Sequence, residues 1–518
     1  MIITVVKDNN YMDSIFLMKA TKEVMKVDGV KDAVVVMGSD MNKTVLADFG
    51  GLTDKAKAAG TNDLIISVDA ENEECAANAE KAVMALLTKK DSGSNNGGES
   101  KEKVYTSLVQ AMDGEKESNL VLISLPGEYA GLEARRALLA GKNVFIFSDL
   151  PLKDELELKA LGAEKGLLVM GPGAGTAIID GVSIGLMSKV RRGSIGIVAA
   201  SGSGLQEVAI LAHQGGFGIS QAIGTGGRDL SKDVGGSMML RSMKLLEDDP
   251  DTEVIVLVSK PPHPDTCRKI YAQVRECAKP VVIFFLGGNA EEIKASGAYA
   301  PATLEEAAAM AMKLAAHETP EVCDYIAASK ERLAEAAASE KAKLADCQKY
   351  LRGLFCGGTH SEEGVLMLQD ELNGLYSNIA FGRTKVLENR SKSVGHTLLD
   401  MGDEIFTCGR PHPVIDPTIL CDRLLQEGTD PETACILFDI ILGYGVHEDP
   451  VGCIADTIKE IRRANADAGR YVSMVASVCG TDLDPQDLAK QVGMLRDLGV
   501  LVVGSNSQAA ILAGKIVS

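Results

Sequence analysis

At 518 residues the chain is too long for one hydrophobic core, and its length alone predicts three or four domains. With 46% hydrophobic, 24% charged and only 4% aromatic residues it reads as a globular protein poor in platforms for stacking bases. A net charge of −19 opposes nucleic acid and anionic membrane as partners, so any anionic substrate must be held by local donors.

Eleven cysteines without a C-x-x-C pair read as reduced thiols of a cytoplasmic protein. The start, Met1-Ile2-Ile3-Thr4-Val5-Val6, has no basic leader and reads as a strand. No apolar run reaches the length of a membrane span.

Residues 1–89 alternate strand and helix: strands around Val5, Val34–Met37 and Asp63–Val68, helices over Ser14–Lys26 and Glu71–Leu87. This predicts a small α/β module of ferredoxin-like type. Lys89–Lys103 is polar and rich in Gly and Ser, a linker. From 104 to 190 short apolar strands, Leu120–Ser124 and Asn143–Phe147, alternate with helices. That pattern predicts a parallel sheet covered on both faces, a Rossmann-like unit with ligands at the carboxyl ends of its strands.

A third unit, 191–318, carries strands at Ile195–Ala199, Gly218–Ile223, Glu253–Ser259 and Pro280–Leu286. Residues 319–351, rich in Ala, Glu and Lys, predict a helical bridge. A fourth unit, 352–518, has strands at Cys435–Ile441, Tyr471–Val478 and Val500–Val503. Strand, glycine turn and helix occur at Ile197–Glu207 and again at Leu354–His360. The run D-P-x-T precedes a buried strand at Asp249–Thr252 and again at Asp430–Thr433, so the third and fourth units read as an internal duplication.

The turn Ser201-Gly202-Ser203-Gly204, between an apolar strand and a helix, leaves amides unpaired at the positive end of a helix dipole, an anion site. Gly226-Gly227-Arg228-Asp229 sets an arginine fork beside glycines. In Thr407-Cys408-Gly409-Arg410-Pro411-His412-Pro413, prolines stiffen a loop that carries Arg410 and His412. His447 follows a buried strand, at the end where α/β sites form. Each has a plain structural reading beside it: a βα turn, an Arg–Asp surface pair, a proline-fixed crossover, a cap. The histidines are isolated in sequence and no metal-ligand spacing occurs, so no metal site is predicted.

Met170-Gly171-Pro172-Gly173, Ser201–Gly204, Gly224-Thr225-Gly226-Gly227 and Asp249–Glu253 resemble, in order and spacing, the α subunit of succinyl-CoA synthetase. The fourth unit resembles the carboxy-terminal domain of that enzyme's β subunit, and the whole chain resembles the FdrA family, which fuses these pieces. The resemblance implies a CoA-binding-type second unit, with Ser124, Pro126 and Gly127 as its contacts, and two flavodoxin-like domains whose paired helix starts hold a phosphate. One start would be Ser201–Gly204. The other would map onto Leu442–His447, with Gly443 and Gly445 as its anion donors.

The synthetase carries its phosphate on a histidine. Here the matching loop, Leu286–Glu292, holds Asn289 instead, and Val258–His263 stands where the supporting acid is expected. Three readings stay open. The resemblance implies a subunit of a carbamoyl or acyl transferase acting on an acyl phosphate, with carbamoyl phosphate and oxamate in purine (allantoin) breakdown as the family case. An ADP-forming acyl-CoA synthetase that binds CoA and a non-catalytic scaffold that binds CoA or phosphate metabolites are the alternatives. Arg228, Arg410, His412 and His447 are the catalytic candidates. Ser201, Gly202, Ser203, Gly204, Gly226, Gly227, Gly443 and Gly445 are the anion donors. CoA is the implied cofactor, and other protein subunits in an oligomer are the implied partners.

Overall fold

The computed structural model describes residues 1–8, 10, 12, 17, 20–21, 23–92, 103–320, 325–407 and 410–518. They form two units, one of residues 1–104 with 408–411, the other of 105–407 with 412–518.

In the first unit, β1 (Ile2–Lys7), β2 (Val30–Met37) and β3 (Leu64–Ala70) pair antiparallel in the order β1-β3-β2. The central strand is buried on both faces because its alternation serves two layers. Leu64, Ile66 and Val68 pack with Ala79 and Val83 of the helix Glu73–Ser92. Ile65 packs with Leu46 of the helix Asp40–Phe49. Part of the expected helix Ser14–Lys26 and the linker residues 93–102 lie outside the described residues. The helix Glu73–Ser92 runs past Lys89 into the stretch read as linker.

The second unit holds three sheets. β4 (Leu120–Ile123), β5 (Asn143–Ile146) and β6 (Val169–Met170) form a small parallel sheet, with the helices Gly127–Leu139 and Leu152–Lys165 between them in sequence. The hairpin β7 (Thr176–Ile179) and β8 (Val182–Gly185) belongs to the next sheet, where β7 pairs antiparallel with β10 (Ile219–Gly224). The expected boundary at residue 190 therefore falls after two strands of the following domain. Its cause is the tight Asp180-Gly181 turn, both residues at positive φ, which folds the chain back onto that sheet.

The six-stranded sheet runs β12-β11-β9-β10-β7-β8, with β9 (Arg192–Ala200), β11 (Val254–Ser259) and β12 (Val281–Phe285) parallel to β10. The seven-stranded sheet is parallel throughout and runs β15-β14-β16-β13-β17-β18-β19. Its members are β13 (Tyr350–Phe355), β14 (Leu375–Ser377), β15 (Lys385–Val386), β16 (His396–Asp400), β17 (Thr433–Ile441), β18 (Ser473–Cys479) and β19 (Leu501–Val503).

Set side by side, β10-β9-β11-β12 and β16-β13-β17-β18 have one order, second-first-third-fourth, with β14 and β15 inserted in the later copy. The D-P-x-T turns are equivalent too: Thr252 N donates to Asp249 O and Thr433 N to Asp430 O, each just before the third strand. The duplication is thus a repeat of topology. Both middle strands are buried end to end, as strands with helices on both faces must be. The bridge holds the helices Tyr325–Arg332 and Ala334–Lys341, and the latter packs Ala337 with Ala509 and Ala513 of the last helix, Asn506–Val517. No described helix is long and apolar enough to cross a membrane.

Candidate anion-binding site

The buried run of β9 ends at Ala200, and Ser201 caps the helix Gly202–Gln214, its Oγ accepting from Gly204 N at 3.0 Å. A second helix start meets it. Ser201 Oγ lies 2.5 Å from Thr359 Oγ1, and Thr359 N donates to Ser203 Oγ at 3.2 Å. Thr359 opens the helix Gly358–Leu368, which follows β13 as Gly202–Gln214 follows β9. Glycine permits the approach: a Cβ on Gly204 would lie 3.2 Å from Thr359 Cγ2, and one on Gly357 2.9 Å from Ser203 Cβ.

The paired helix starts are therefore Ser201–Gly204 and Gly357–Thr359, and the assignment of Gly443 and Gly445 is corrected. Gly443 N already donates to Gln486 Oε1 at 3.2 Å, and Tyr444 N donates to Met187 O at 3.1 Å. Gly443 sits at φ +133°, and a Cβ there would lie 2.8 Å from Ser188 N; one on Gly445 would lie 3.2 Å from Leu186 Cδ2. These glycines press the loop after β17 onto residues 185–188, so packing accounts for them.

The two starts differ in charge. Cys356 N and Gly357 N donate to the buried Asp439 carboxylate at 2.6 and 2.9 Å, and Asp400 lies so near that a Cβ on Gly358 would be 2.6 Å from its Oδ2. The second helix start is filled by the protein's own carboxylates. The first is not: helix geometry leaves the amides of Gly202 and Ser203 without an intrahelical acceptor. Gly202 lines a pocket of about 180 Å³. Ala199–Gly202, Gly173–Thr176 and Gly224, Gly226 and Gly227 form its walls, and Lys260 is its one charged lining residue. The pocket spans the carboxyl ends of β10, β9 and β11, where strand order reverses and open α/β sheets bind ligands.

Lys260 Nζ donates to Glu362 Oε1 at 2.8 Å. Burial works against its charge, but Glu362, Asp400 and Asp403 outweigh this and hold it above the usual lysine range. The lysine is a fixed cation. Burial pushes the Asp400 carboxyl up to about 7, with Lys260 and Gly402 N–H pulling down and Asp403 and Glu362 pushing further up.

The arginine fork is bonded within the protein through two of its three nitrogens. Arg228 Nε donates to Glu155 Oε2 at 2.9 Å and Nη2 to Leu150 O at 2.5 Å. Glu155 is buried with Lys159, whose Nζ lies 2.9 Å from Glu155 Oε1 and donates to Asp229 Oδ1 at 2.9 Å and Thr225 O at 3.2 Å. Arg228 thus tethers the glycine loop to the helix Leu152–Lys165, and it is absent from the pocket lining.

Arg410 is exposed and groups with the first unit, and Cys408 and Gly409 lie outside the described residues. Burial lowers His412 to about 4, so its imidazole is neutral; a Cβ on Gly402 would lie 2.5 Å from its Nε2. It stands behind the Asp400 loop and is absent from the pocket wall. His447 Nδ1 accepts from Asp449 N at 3.1 Å, and its Nε2 lies 3.4 Å from Cys453 Sγ. These contacts place it at the entry of the helix Pro450–Asp467. Ser124 and Pro126 are exposed at the end of β4, with Pro126 before the helix that Gly127 opens. Asn289 caps the helix Ala290–Ala295, accepting from Glu291 N and Glu292 N.

Beneath the paired starts is a cluster of donors far apart in sequence. His360 is fully buried, its Nδ1 2.7 Å from Asp439 Oδ2 and its Nε2 3.7 Å from Glu207 Oε2. Burial disfavours its charge, but Asp439 and Glu207 outweigh burial and raise it to about 9. Cys479, at the end of β18, brings its sulfur into the same group: ligand atoms of Glu207, His360 and Cys479 all lie within 4.8 Å of one another. Residue spacing shows none of this, because the three belong to three elements. Lys260 carries a signal of its own: a lysine directly after a buried parallel strand sits at a carboxyl end. Thr359 needed the second helix start to be paired correctly.

Three family models match the chain: "AllF, heavy metal-associated domain" over residues 1–104, "CoA binding domain" over 190–287 and "CoA-ligase" over 354–516. The CoA-binding match falls one unit beyond the stretch, 104–190, that the sequence reading assigned to that type. Residues 1–104 hold one cysteine, Cys75, and no histidine, so the thiolate pair that suits a soft metal is not there. Over 99% of its length the chain is 42% identical to a protein of Escherichia coli (strain K12) described as "Uncharacterized protein YahF", covering 98% of it. It is 30% identical to "Succinate--CoA ligase [ADP-forming] subunit alpha 2" of Archaeoglobus fulgidus, over 38% of this chain and 67% of that one. Among solved structures it aligns with the apo form of the dinucleotide forming acetyl-coenzyme A synthetase 1 of Ca. Korarchaeum cryptofilum. That alignment covers 77% of this chain and 82% of that one, at 13% identity and a TM-score of 0.32.

Proposed function

Because the chain belongs to the FdrA family, related to the α subunit of succinyl-CoA synthetase, we propose that it is a subunit of a carbamoyl or acyl transferase. It holds the phosphate of a small acyl phosphate at the start of the helix Gly202–Gln214. The observation that carries this is the pocket of about 180 Å³ with a helix start at its wall and Lys260 at its side. That volume is below the roughly 300–1,000 Å³ of pockets that enclose drug-sized ligands, and it suits a phosphoryl head group with one small substituent.

The chemistry follows from the donors. With carbamoyl phosphate and oxamate, the amide nitrogen of oxamate attacks the carbamoyl carbon. The carbon–oxygen bond to phosphate breaks, the amide proton goes to solvent or a base, and phosphate leaves as an anion. Charge builds on that leaving oxygen, where Gly202 N–H, the helix dipole and the Lys260 ammonium stabilise it without reorganisation. With Asn289 capping a helix in the loop of the carrier histidine, a phosphoenzyme has no residue there to form on. The acceptor site would be completed by partner subunits in an oligomer.

A second reading rests on a specific observation: the CoA-binding match covers the pocket walls from Ala199 to Lys260. When bound, CoA would supply a thiol acceptor for the acyl group, with Gly202 and Lys260 holding one of its phosphates and most of the cofactor outside. The test is phosphate release from carbamoyl phosphate with oxamate, by this chain together with the proteins encoded beside it, for wild type and Lys260→Met. Release that depends on oxamate and falls in the variant supports transfer. Release that requires CoA instead of oxamate favours the ligase reading.

A further inference from the structure

We propose that Glu207, His360 and Cys479 form a buried zinc site that pins the two repeated domains together beneath the anion pocket.

Three elements converge there. Glu207 is on the helix after β9, His360 on the helix after β13, and Cys479 ends β18. All three are buried, and their donor atoms lie within 4.8 Å of one another, with His360 Nε2 to Glu207 Oε2 at 3.7 Å. Zinc bonds of about 2.0–2.3 Å in a tetrahedron put neighbouring ligand atoms about 3.3–3.6 Å apart, close to the His360–Glu207 separation, and the sulfur must approach to match. One imidazole, one thiolate and one carboxylate are donors that zinc accepts.

Two independent features point to a cation. His360 Nε2 is buried without a hydrogen-bond partner, while Asp439 holds Nδ1 at 2.7 Å and so aims Nε2 at the group. A carboxylate behind the far ring nitrogen is the usual support of a metal-bound histidine. Asn506 Oδ1 is also buried and unpartnered. Its amide cannot be turned to relieve this, because Nδ2 donates to His360 O at 3.0 Å and Glu363 Oε2 at 2.7 Å. Asn506 N donates to Glu207 Oε1 at 3.0 Å, so Asn506 is bonded to two of the three ligand residues.

Zinc takes the place of the Cys479 thiol proton and of any proton on His360 Nε2, and what is displaced leaves to solvent. Ligands from both repeats make the ion a cross-link.

The test uses the full chain, folded with Zn²⁺ present, dialysed against a weak chelator and assayed for metal per chain. Cobalt substitution then reads the thiolate-to-metal absorption band. The expected result is about one zinc per chain, reduced at least tenfold in Cys479→Ala and in Glu207→Gln, with the cobalt–thiolate band lost in Cys479→Ala. Cys75→Ala and Cys453→Ala, which alter cysteines outside the group, keep both. A chain that holds no zinc after this treatment overturns the proposal, as does zinc whose amount and cobalt spectrum are the same in Cys479→Ala. The outcome does not depend on what the pocket above binds.

Discussion

Replacing Lys159 by methionine separates a structural role for Arg228 from a catalytic one. Lys159 is 3% exposed, between Glu155 and Asp229, both fully buried. Methionine fills much the same volume and removes the charge, leaving Glu155 with Arg228 and Asp229 with the amides of Met238 and Met239. Breaking a buried ion pair from one side costs about 3–5 kcal/mol, because an unpaired charge stays in the interior. For a cooperative unit of about 400 residues about 1.2 °C is lost per kcal/mol, so the thermal midpoint falls by about 4–6 °C. Arg228→Ala removes a half-exposed partner and costs less, about 1–2 kcal/mol. Thermal unfolding followed by far-ultraviolet circular dichroism reads both, with phosphate titration as the functional check. A Lys159→Met shift under 2 °C would refute the reasoning. So would an Arg228→Ala chain that is fully stable yet blind to phosphate.

Asp400→Asn reports on the second helix start. A carboxyl raised from 3.8 to about 7 favours the folded state while protonated. Its contribution is therefore complete below about pH 4 and lost as pH rises through 7, a difference of about 4 kcal/mol. The variant flattens that slope and is the more stable chain at pH 8; urea midpoints from pH 5 to 8 check it. Gly443→Ala forces a side chain into a φ of +133° and against Ser188 N, so it destabilises by about 1–3 kcal/mol while phosphate affinity is kept. Ser201→Ala removes the cap and the contact to Thr359, lowering stability by about 1 kcal/mol and phosphate affinity with it.

The repeated βα rhythm was legible because parallel strands buried on both faces are unbroken apolar runs, and β9, β11, β12 and β17 all read that way. The hairpin β7–β8 was missed although Asp180-Gly181 marks its turn, because strands of four residues carry little periodicity. β16, five residues long, was missed as a strand too, so the carboxylate of Asp400 was not seen to stand at a strand end. Of the site, the Ser201–Gly204 turn was legible as local chemistry. Its partner was not, since Gly357-Gly358-Thr359 and Leu442–His447 both look like glycine turns after a strand. Only pairing in space shows that one touches Ser203 and the other Ser188. Arg228 and Lys260 exchanged roles for a like reason: nothing local tells an arginine held by Glu155 from a lysine that lines a pocket.

Isothermal titration of carbamoyl phosphate into the purified chain tests the central claim most directly, with Lys260→Met and Glu362→Gln beside wild type. A charged hydrogen bond contributes about 1.5–3 kcal/mol, so Lys260→Met should weaken binding about tenfold to a hundredfold. Glu362→Gln frees the ammonium from its partner and should bind at least as tightly as wild type. Equal affinity in wild type and Lys260→Met, or heat with CoA and none with carbamoyl phosphate, would contradict the assignment of the pocket to an acyl phosphate.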